Sequence, residues 1–276
     1  MTVTTLERGG ALLKIFDLGR GPAVLLQHGL GGDEAQVAQT FPGSLSCRRL
    51  TLECRGHGGS SLGGKRPFSF AMFADDIVAA AEQAGIERFV AGGISMGAGL
   101  ALRLAIRHPD RVSGLLLVRP AWAFSAAPEN LAPIAEVARL VRSHPLAEAR
   151  ANFERSQTAV RLKVEAPDNL NSLLGYFDRP DILRFAEVLE DISSDGPDVS
   201  EQDAAALAIP TLVIGNELDA IHPLPMAQTL AAAIPGAAIR IVTPKASDKN
   251  RHFAEVQAAI AAFLRSHFDI PNGASS

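Results

Sequence analysis

The sequence predicts an α/β protein whose central sheet is mostly parallel, flanked by helices and interrupted by a helical cap insertion. Three observations carry that expectation. Short β-branched or leucine-rich runs alternate with longer helical patterns towards both ends of the chain. The alternation fails between residues 122 and 203, where stretches rich in Ala, Leu and Arg are broken by Pro128, Pro145, Pro167, Pro180 and Pro197. A chain of 276 residues, 47% of them hydrophobic, can bury a large core and suits one domain carrying a sizeable insertion. The expected organisation is a core of residues 1–121 and 204–270, a cap of residues 122–203, and a frayed tail, PNGASS, at 271–276.

Taken in order, residues 11–18 and 23–27 read as strands, the second a continuous apolar run of the kind buried on both faces, and residues 49–52 and 89–92 continue the series. Ser69 is placed to cap a helix running through Met72, Ile77 and Ala81 towards the stop residue Gly85. Residues 96–107 form the next helix, ended by His108 and Pro109, and 112–118 the next strand. After the insertion, strands at 211–215 and 238–242 enclose a helix at 224–234, and a last helix spans about 253–266.

The charge balance excludes one class of partner. A net charge of -4 and no lysine or arginine run longer than two leave nothing to neutralise a phosphate backbone, so nucleic acid is not expected. No run of about 18 apolar residues could span a bilayer, and MTVTTLERGG has neither the basic start nor the apolar stretch of a signal peptide; a cytoplasmic location with no membrane partner is expected. Cys47 and Cys54 are too few for a disulfide framework and join no ligand cluster. GSSLGGK at 59–65 has the spacing of a phosphate loop, but Arg66 stands where Ser or Thr would bind magnesium and Pro67 follows. With no convincing GxGxxG and no HExxH, neither a cofactor nor a metal is expected.

Chemistry is carried by GxSxG at Gly93, Ile94, Ser95, Met96 and Gly97, after a predicted strand and before a predicted helix. A nucleophile at such a turn sits on strained backbone, and close packing beside it admits only small flanking residues. A serine hydroxyl needs a histidine base, which in turn needs a carboxylate to fix its tautomer. Asp219, just after the strand TLVIG, and His252, in SDKNRHFAEV, lie where later strands release loops.

Four segments, LLQHGLGG, ECRGHGGS, GGISMGAG with the following HPDRV, and GNELDAIHP followed by RHF, resemble those of an α/β-hydrolase fold enzyme. That broad group holds carboxylesterases, lactonases and carbon-carbon bond hydrolases. The resemblance implies Ser95 as nucleophile, Asp219 as triad acid and His252 as general base, with backbone N-H groups of Leu30 and Met96 as the oxyanion hole. It departs at Glu53, where the family commonly has aspartate, and at Arg251, which stands where glycine usually precedes the histidine.

The expected activity is hydrolysis of a small-molecule ester or lactone through an acyl-enzyme. Carbon-carbon hydrolysis, thioester cleavage and acyl transfer remain alternatives, as does a ligand receptor retaining the fold. His222 is the rival base, three residues from Asp219; Glu217 and Asp248 are rival acids. His28 and His57 read as structural, and Asp75 and Asp76 as solvent-facing or capping charges. Arg119, at the mouth of the insertion, and Arg251 are candidate anchors for a substrate anion, and Trp122, with Phe124, Tyr176 and Phe177, supplies aromatic surface for a lid over the substrate site. An amphipathic cap helix could close a lid or a homo-oligomer interface equally well.

Overall fold

Four strands whose residues are almost all buried pair at the middle of an eight-stranded sheet. The computed structural model describes residues 1–268 and 270, so the expectation for the 271–276 tail lies outside the described residues. The chain runs β1 (Thr2–Arg8), β2 (Ala11–Gly19), β3 (Ala23–Gln27), α1 (Glu34–Thr40), β4 (Arg48–Leu52), α2 (Phe70–Gln83), β5 (Phe89–Ile94), α3 (Met96–Arg107) and β6 (Val112–Val118). A helical series follows: α4 (Ala132–Ser143), α5 (Leu146–Glu154), α6 (Gln157–Glu165), α7 (Pro167–Phe177), α8 (Ile182–Ser194) and α9 (Glu201–Ala205). The core then resumes with β7 (Thr211–Gly215), α10 (Leu224–Ala233), β8 (Ala238–Ile241) and α11 (Lys249–Phe268).

The sheet order is β1-β2-β4-β3-β5-β6-β7-β8, antiparallel at the first two pairings and parallel from β4 onward. Alternate side chains of the central strands fill different layers. Ala91, Leu115, Leu117 and Val213 enter the larger core with α2, α3 and α10, whereas Val90, Leu116, Leu212 and Ile214 pack with α1 and α11. Helices on both faces explain why these strands read as continuous apolar runs.

Two elements were not expected. β1 is an edge strand with only Leu6 partly buried, so it carries no inside-outside alternation to read. α1 has seven residues, of which Val37 and Thr40 are buried; Asp33 nucleates it by accepting from the amides of Ala35 and Gln36. The last helix also begins at Lys249 rather than near 253, because the Asp248 carboxylate accepts from the Arg251 amide and the Asp248 carbonyl from the His252 amide. His252 thus lies in a helical first turn and not on a free loop.

Prolines punctuate the cap as helix openers: Pro145 precedes α5 and Pro167 is the first residue of α7. α9 straddles the expected boundary between residues 203 and 204. Trp122 is buried at the junction of core and cap, where its indole N-H donates to Asp195 O at 2.9 Å and its ring meets Phe70 edge-on. Among the described residues no helix is long and apolar enough to cross a membrane.

Candidate active site

The parallel strands end in register at one edge of the sheet, Ile94 beside Val118 and Val118 beside Ile214, and the residues just beyond them converge. Ser95 follows β5 immediately. Its φ of 57° and ψ of -111° lie outside the regions an L-residue prefers, and its amide is held by Val118 O at 3.0 Å. The flanking glycines are steric necessities. A Cβ on Gly93 would fall 2.2 Å from the Gly97 carbonyl carbon, and one on Gly97 would fall 2.4 Å from Gln27 O.

The loop after β3 faces this turn. Gly29 donates its amide to Gln36 Oε1 at 2.7 Å, and Leu30 follows with its N-H. Neither the Leu30 nor the Met96 amide donates to a protein acceptor among the described residues. Behind this loop His28 Nε2 accepts from the Cys54 amide at 3.0 Å, and burial lowers the His28 pKa to about 4. His28 is therefore a neutral structural acceptor. Glu53 likewise holds two turns by accepting the amides of Glu34 and Gly59. Asp76, expected at the surface, is instead buried, because Arg55 forks onto both its oxygens at 2.7 and 3.0 Å and Arg8 adds a third contact.

Asp219 lies in the loop after β7, behind Leu218 with its φ of 55°. Its Oδ2 accepts from Arg119 Nε and Nη2 at 2.9 and 2.5 Å; its Oδ1 accepts from Asn169 Nδ2 at 2.9 Å and from the His222 amide at 3.0 Å. His222 Nδ1 lies 2.9 Å from the same Oδ1 and 3.2 Å from Arg119 Nη2; the nearer, acceptor-only carboxylate assigns it the proton, and the Arg119 Nη2 contact is then not a hydrogen bond. Burial pushes the Asp219 carboxyl up, but His222 and Arg119 together outweigh it and hold Asp219 well below the usual range. Burial lowers His222, against the pull of Asp219 and with a smaller push from Arg119 in the same downward direction.

A cavity of about 110 Å³ brings these groups together, lined among others by Ser95, Leu30, Arg119, Asn169, His222 and Lys245. His252 is not one of its lining residues. It borders a neighbouring cavity of about 70 Å³, and Gln36, Ile94, Arg119 and Lys245 form the wall the two share. Its Nδ1 is 2.8 Å from Thr243 O, a donor position, so the expected bond from His252 to Asp219 is replaced by one to the backbone. The physical reason is the early start of α11 together with the filling of both Asp219 oxygens by other donors.

The expected substrate contacts also shift. Arg119 lines the cavity with its guanidinium committed to Asp219. Arg251 is 68% exposed and pairs with Glu255, and Trp122 is sealed at the core-cap junction; neither lines the cavity. Two residues that sequence reasoning passed over line the cavity instead. Lys245, after β8, pairs with Asp168 of the cap at 3.0 Å, and Asn169 reaches the acid itself. Nothing local marks either one, because their partners are 77 and 50 residues away.

The candidate site thus joins Ser95, on a strained strand-to-helix turn, to a buried aspartate beyond a later strand and an imidazole held on it, beneath a helical cap. The family model described as alpha/beta hydrolase fold matches residues 22–254, and the chain belongs to that family. It is 29% identical over 227 residues to the putative carbamate hydrolase RutD of Klebsiella pneumoniae (strain 342), covering 78% of this chain and 80% of that one. It is 28% identical over 251 residues to the 2-hydroxymuconate semialdehyde hydrolase of Pseudomonas putida, covering 84% and 83%. Among solved structures, a thermophilic esterase from Thermogutta terrifontis shares the fold with a TM-score of 0.72 at 23% identity, covering 96% of this chain and 99% of that one.

Proposed function

We propose that the protein hydrolyses a small carbonyl compound through an acyl-enzyme on Ser95, with His222 as general base and Asp219 as the carboxylate that orients it. The carrying observation is that His222, held on Asp219 at 2.9 Å, lines the cavity that Ser95 also lines. With Nδ1 on the carboxylate, Nε2 is the nitrogen left for the substrate side. Burial keeps the imidazole neutral near pH 7, the form a base requires.

In the reaction so assigned, His222 Nε2 takes the Ser95 proton as Oγ attacks the carbonyl carbon. The carbonyl oxygen, now anionic, is met by the N-H groups of Leu30 and Met96; one such donor is worth about 2.7 to 4 kcal/mol of barrier. The imidazolium returns its proton to the leaving group. Water then attacks the acyl-enzyme with the same base, while Asp219 stays ionised throughout. Among the described residues no hydrogen bond joins Ser95 Oγ to either imidazole, and catalytic hydrogen bonds commonly close only with substrate in place.

The cavity admits a small acyl group, which favours short carboxylic esters and lactones. The relatives named for carbamate and semialdehyde hydrolysis extend the candidates to small carbamates and to carbon-carbon cleavage beside a carbonyl. The test is intact-mass detection of a fluorophosphonate adduct, with turnover of a short ester, lactone and carbamate panel, on the parent, Ser95→Ala, His222→Gln and His252→Gln. The expected result is an adduct on Ser95 whose formation slows far more in His222→Gln than in His252→Gln. The reverse ranking moves the base to His252, and a folded parent with neither adduct nor turnover removes the enzyme reading.

A further inference from the structure

Helix α7 of the cap touches the core on both sides of the Ser95 cavity. Near its start, Asn169 donates to Asp219 Oδ1 at 2.9 Å and accepts from the Ala220 amide at 2.6 Å, so one buried amide binds both the acid and the loop that carries it. The preceding residue, Asp168, pairs with Lys245 at 3.0 Å. Near its other end, Tyr176 donates its hydroxyl to Leu30 O at 2.9 Å, and Arg179, just past the helix, donates to Gly31 O at 3.2 Å. The seven-residue step from Asn169 to Tyr176 spans about 10 Å of helix axis, the width of a small active site.

The core is shaped to receive this helix. Gly31, at φ 80°, would place a Cβ 2.5 Å from the Tyr176 ring, so the absence of a side chain there is what lets the ring lie on the loop. Tyr176 is partly buried and its phenol is pushed above the ordinary value by that burial, so the hydroxyl remains a proton donor to Leu30 O. Asn169 can serve its two partners only in one amide orientation, with nitrogen towards the carboxylate and oxygen towards the backbone N-H groups.

We infer that α7 is a positioning element of the catalytic site: Asn169 sets the acid loop and Tyr176 sets the oxyanion loop, so the site is assembled only when the cap is seated. Neither residue touches the reacting atoms. Asn169 acts through Asp219 and hence through His222, whereas Tyr176 acts through the peptide chain that presents the Leu30 N-H. The cap is thereby a structural part of the hydrolase and not only a cover. This inference rests on the function proposed above.

The experiment compares Asn169→Ala, Asn169→Asp and Tyr176→Phe with the parent and with Val164→Ala, a change at an exposed cap position. The readouts are kcat and KM on the best substrate of the panel, affinity for a boronic acid that forms a tetrahedral adduct on Ser95, and the thermal midpoint. Loss of a hydrogen bond to a charged or tightly placed group predicts a fall in kcat of roughly tenfold or more, with KM changed less than about threefold. Tyr176→Phe is nearly isosteric, so its folding is not in question, and it should weaken the boronate by about the same factor as kcat. Asn169→Asp keeps the acceptor for the Ala220 amide but turns a like charge on Asp219; it should fall at least as far as Asn169→Ala. Activity retained in Asn169→Asp, or a lowered midpoint with kcat and boronate affinity at parent level in Tyr176→Phe, would overturn the inference. If the parent itself forms no Ser95 adduct, the proposed function fails first and is recognised as that failure.

Discussion

Arg119 and Asp219 stand 100 residues apart and meet at 2.5 Å, with side chains 13% and 2% exposed. The pairing is topological: Arg119 leaves β6 and Asp219 follows β7, the neighbouring parallel strand. Arg119 takes up a left-handed φ of 46°, and its amide is fixed by Ile214 O at 2.7 Å.

Removing the arginine should therefore have two effects. Arg119→Met leaves a buried carboxylate short of its cationic partner, and breaking such a pair costs about 3 kcal/mol; a lowered urea midpoint at unchanged m-value would report it. The second effect has a sign. Arg119 pushes the His222 pKa down, so its removal lets that pKa rise. If His222 is the base, the acid limb of kcat/KM moves to higher pH in Arg119→Met, and an unmoved limb counts against His222.

Stability should weaken on mild acidification. His28 is buried as a neutral ring with its pKa lowered from 6.5 to about 4. The unfolded chain therefore binds a proton that the folded one refuses between these values. The stabilisation is fully present above 6.5, and by pH 4 this group alone removes about 3 kcal/mol. His57, His222 and His252, all shifted downward chiefly by burial, act in the same direction. Chemical denaturation at pH 7.5 and pH 4.5 measures the sum, and His28→Asn, which keeps an acceptor without the titration, should flatten the dependence.

Much of the fold was legible because its central pieces obey local rules. The strands at 23–27, 112–118 and 211–215 and the helix at 96–107 have the bounds that their apolar runs and stop residues indicate. The edge strand β1 was not legible, since neither of its faces is buried in a readable alternation. Of the candidate site, Ser95 and its flanking glycines form a local motif, and the turn it predicts is the one observed. The partner of Asp219 is different: the tight turn that returns the His222 amide and ring to Oδ1 is a matter of loop geometry, whereas spacing alone favoured a histidine on a separate loop. Asp248, a rival acid by sequence, instead caps α11, and its carbonyl holds the His252 amide in the helix's first turn.

The glycine pair around Ser95 gives a sharper test of the turn that presents it. Gly97→Ala places a methyl group 2.4 Å from a backbone oxygen of β3, an atom that cannot rotate away. Overpacking of this kind costs about 1–3 kcal/mol, and relief requires α3 to move off β3, carrying the Met96 amide with it. Labelling of Ser95 by the fluorophosphonate should fall by about tenfold or more, since the Met96 amide proposed as an oxyanion donor is displaced. Parent-level labelling in a folded Gly97→Ala would show that the close approach is not needed for the site.

Ser95 itself should be a stability cost that function imposes. A non-glycine residue at φ 57° and ψ -111° carries strain of about 1–3 kcal/mol. Glycine populates such backbone freely but loses more entropy on folding, about 0.5–1 kcal/mol. Ser95→Gly should therefore raise stability by about 1 kcal/mol while abolishing the adduct and turnover. Ser95→Ala retains the Cβ and hence the strain, so it should lose activity equally without the gain. The difference in urea midpoint between these two variants isolates the backbone strain from the loss of the hydroxyl. Equal stabilities would mean that the turn is not strained, and that the serine owes its place to chemistry alone.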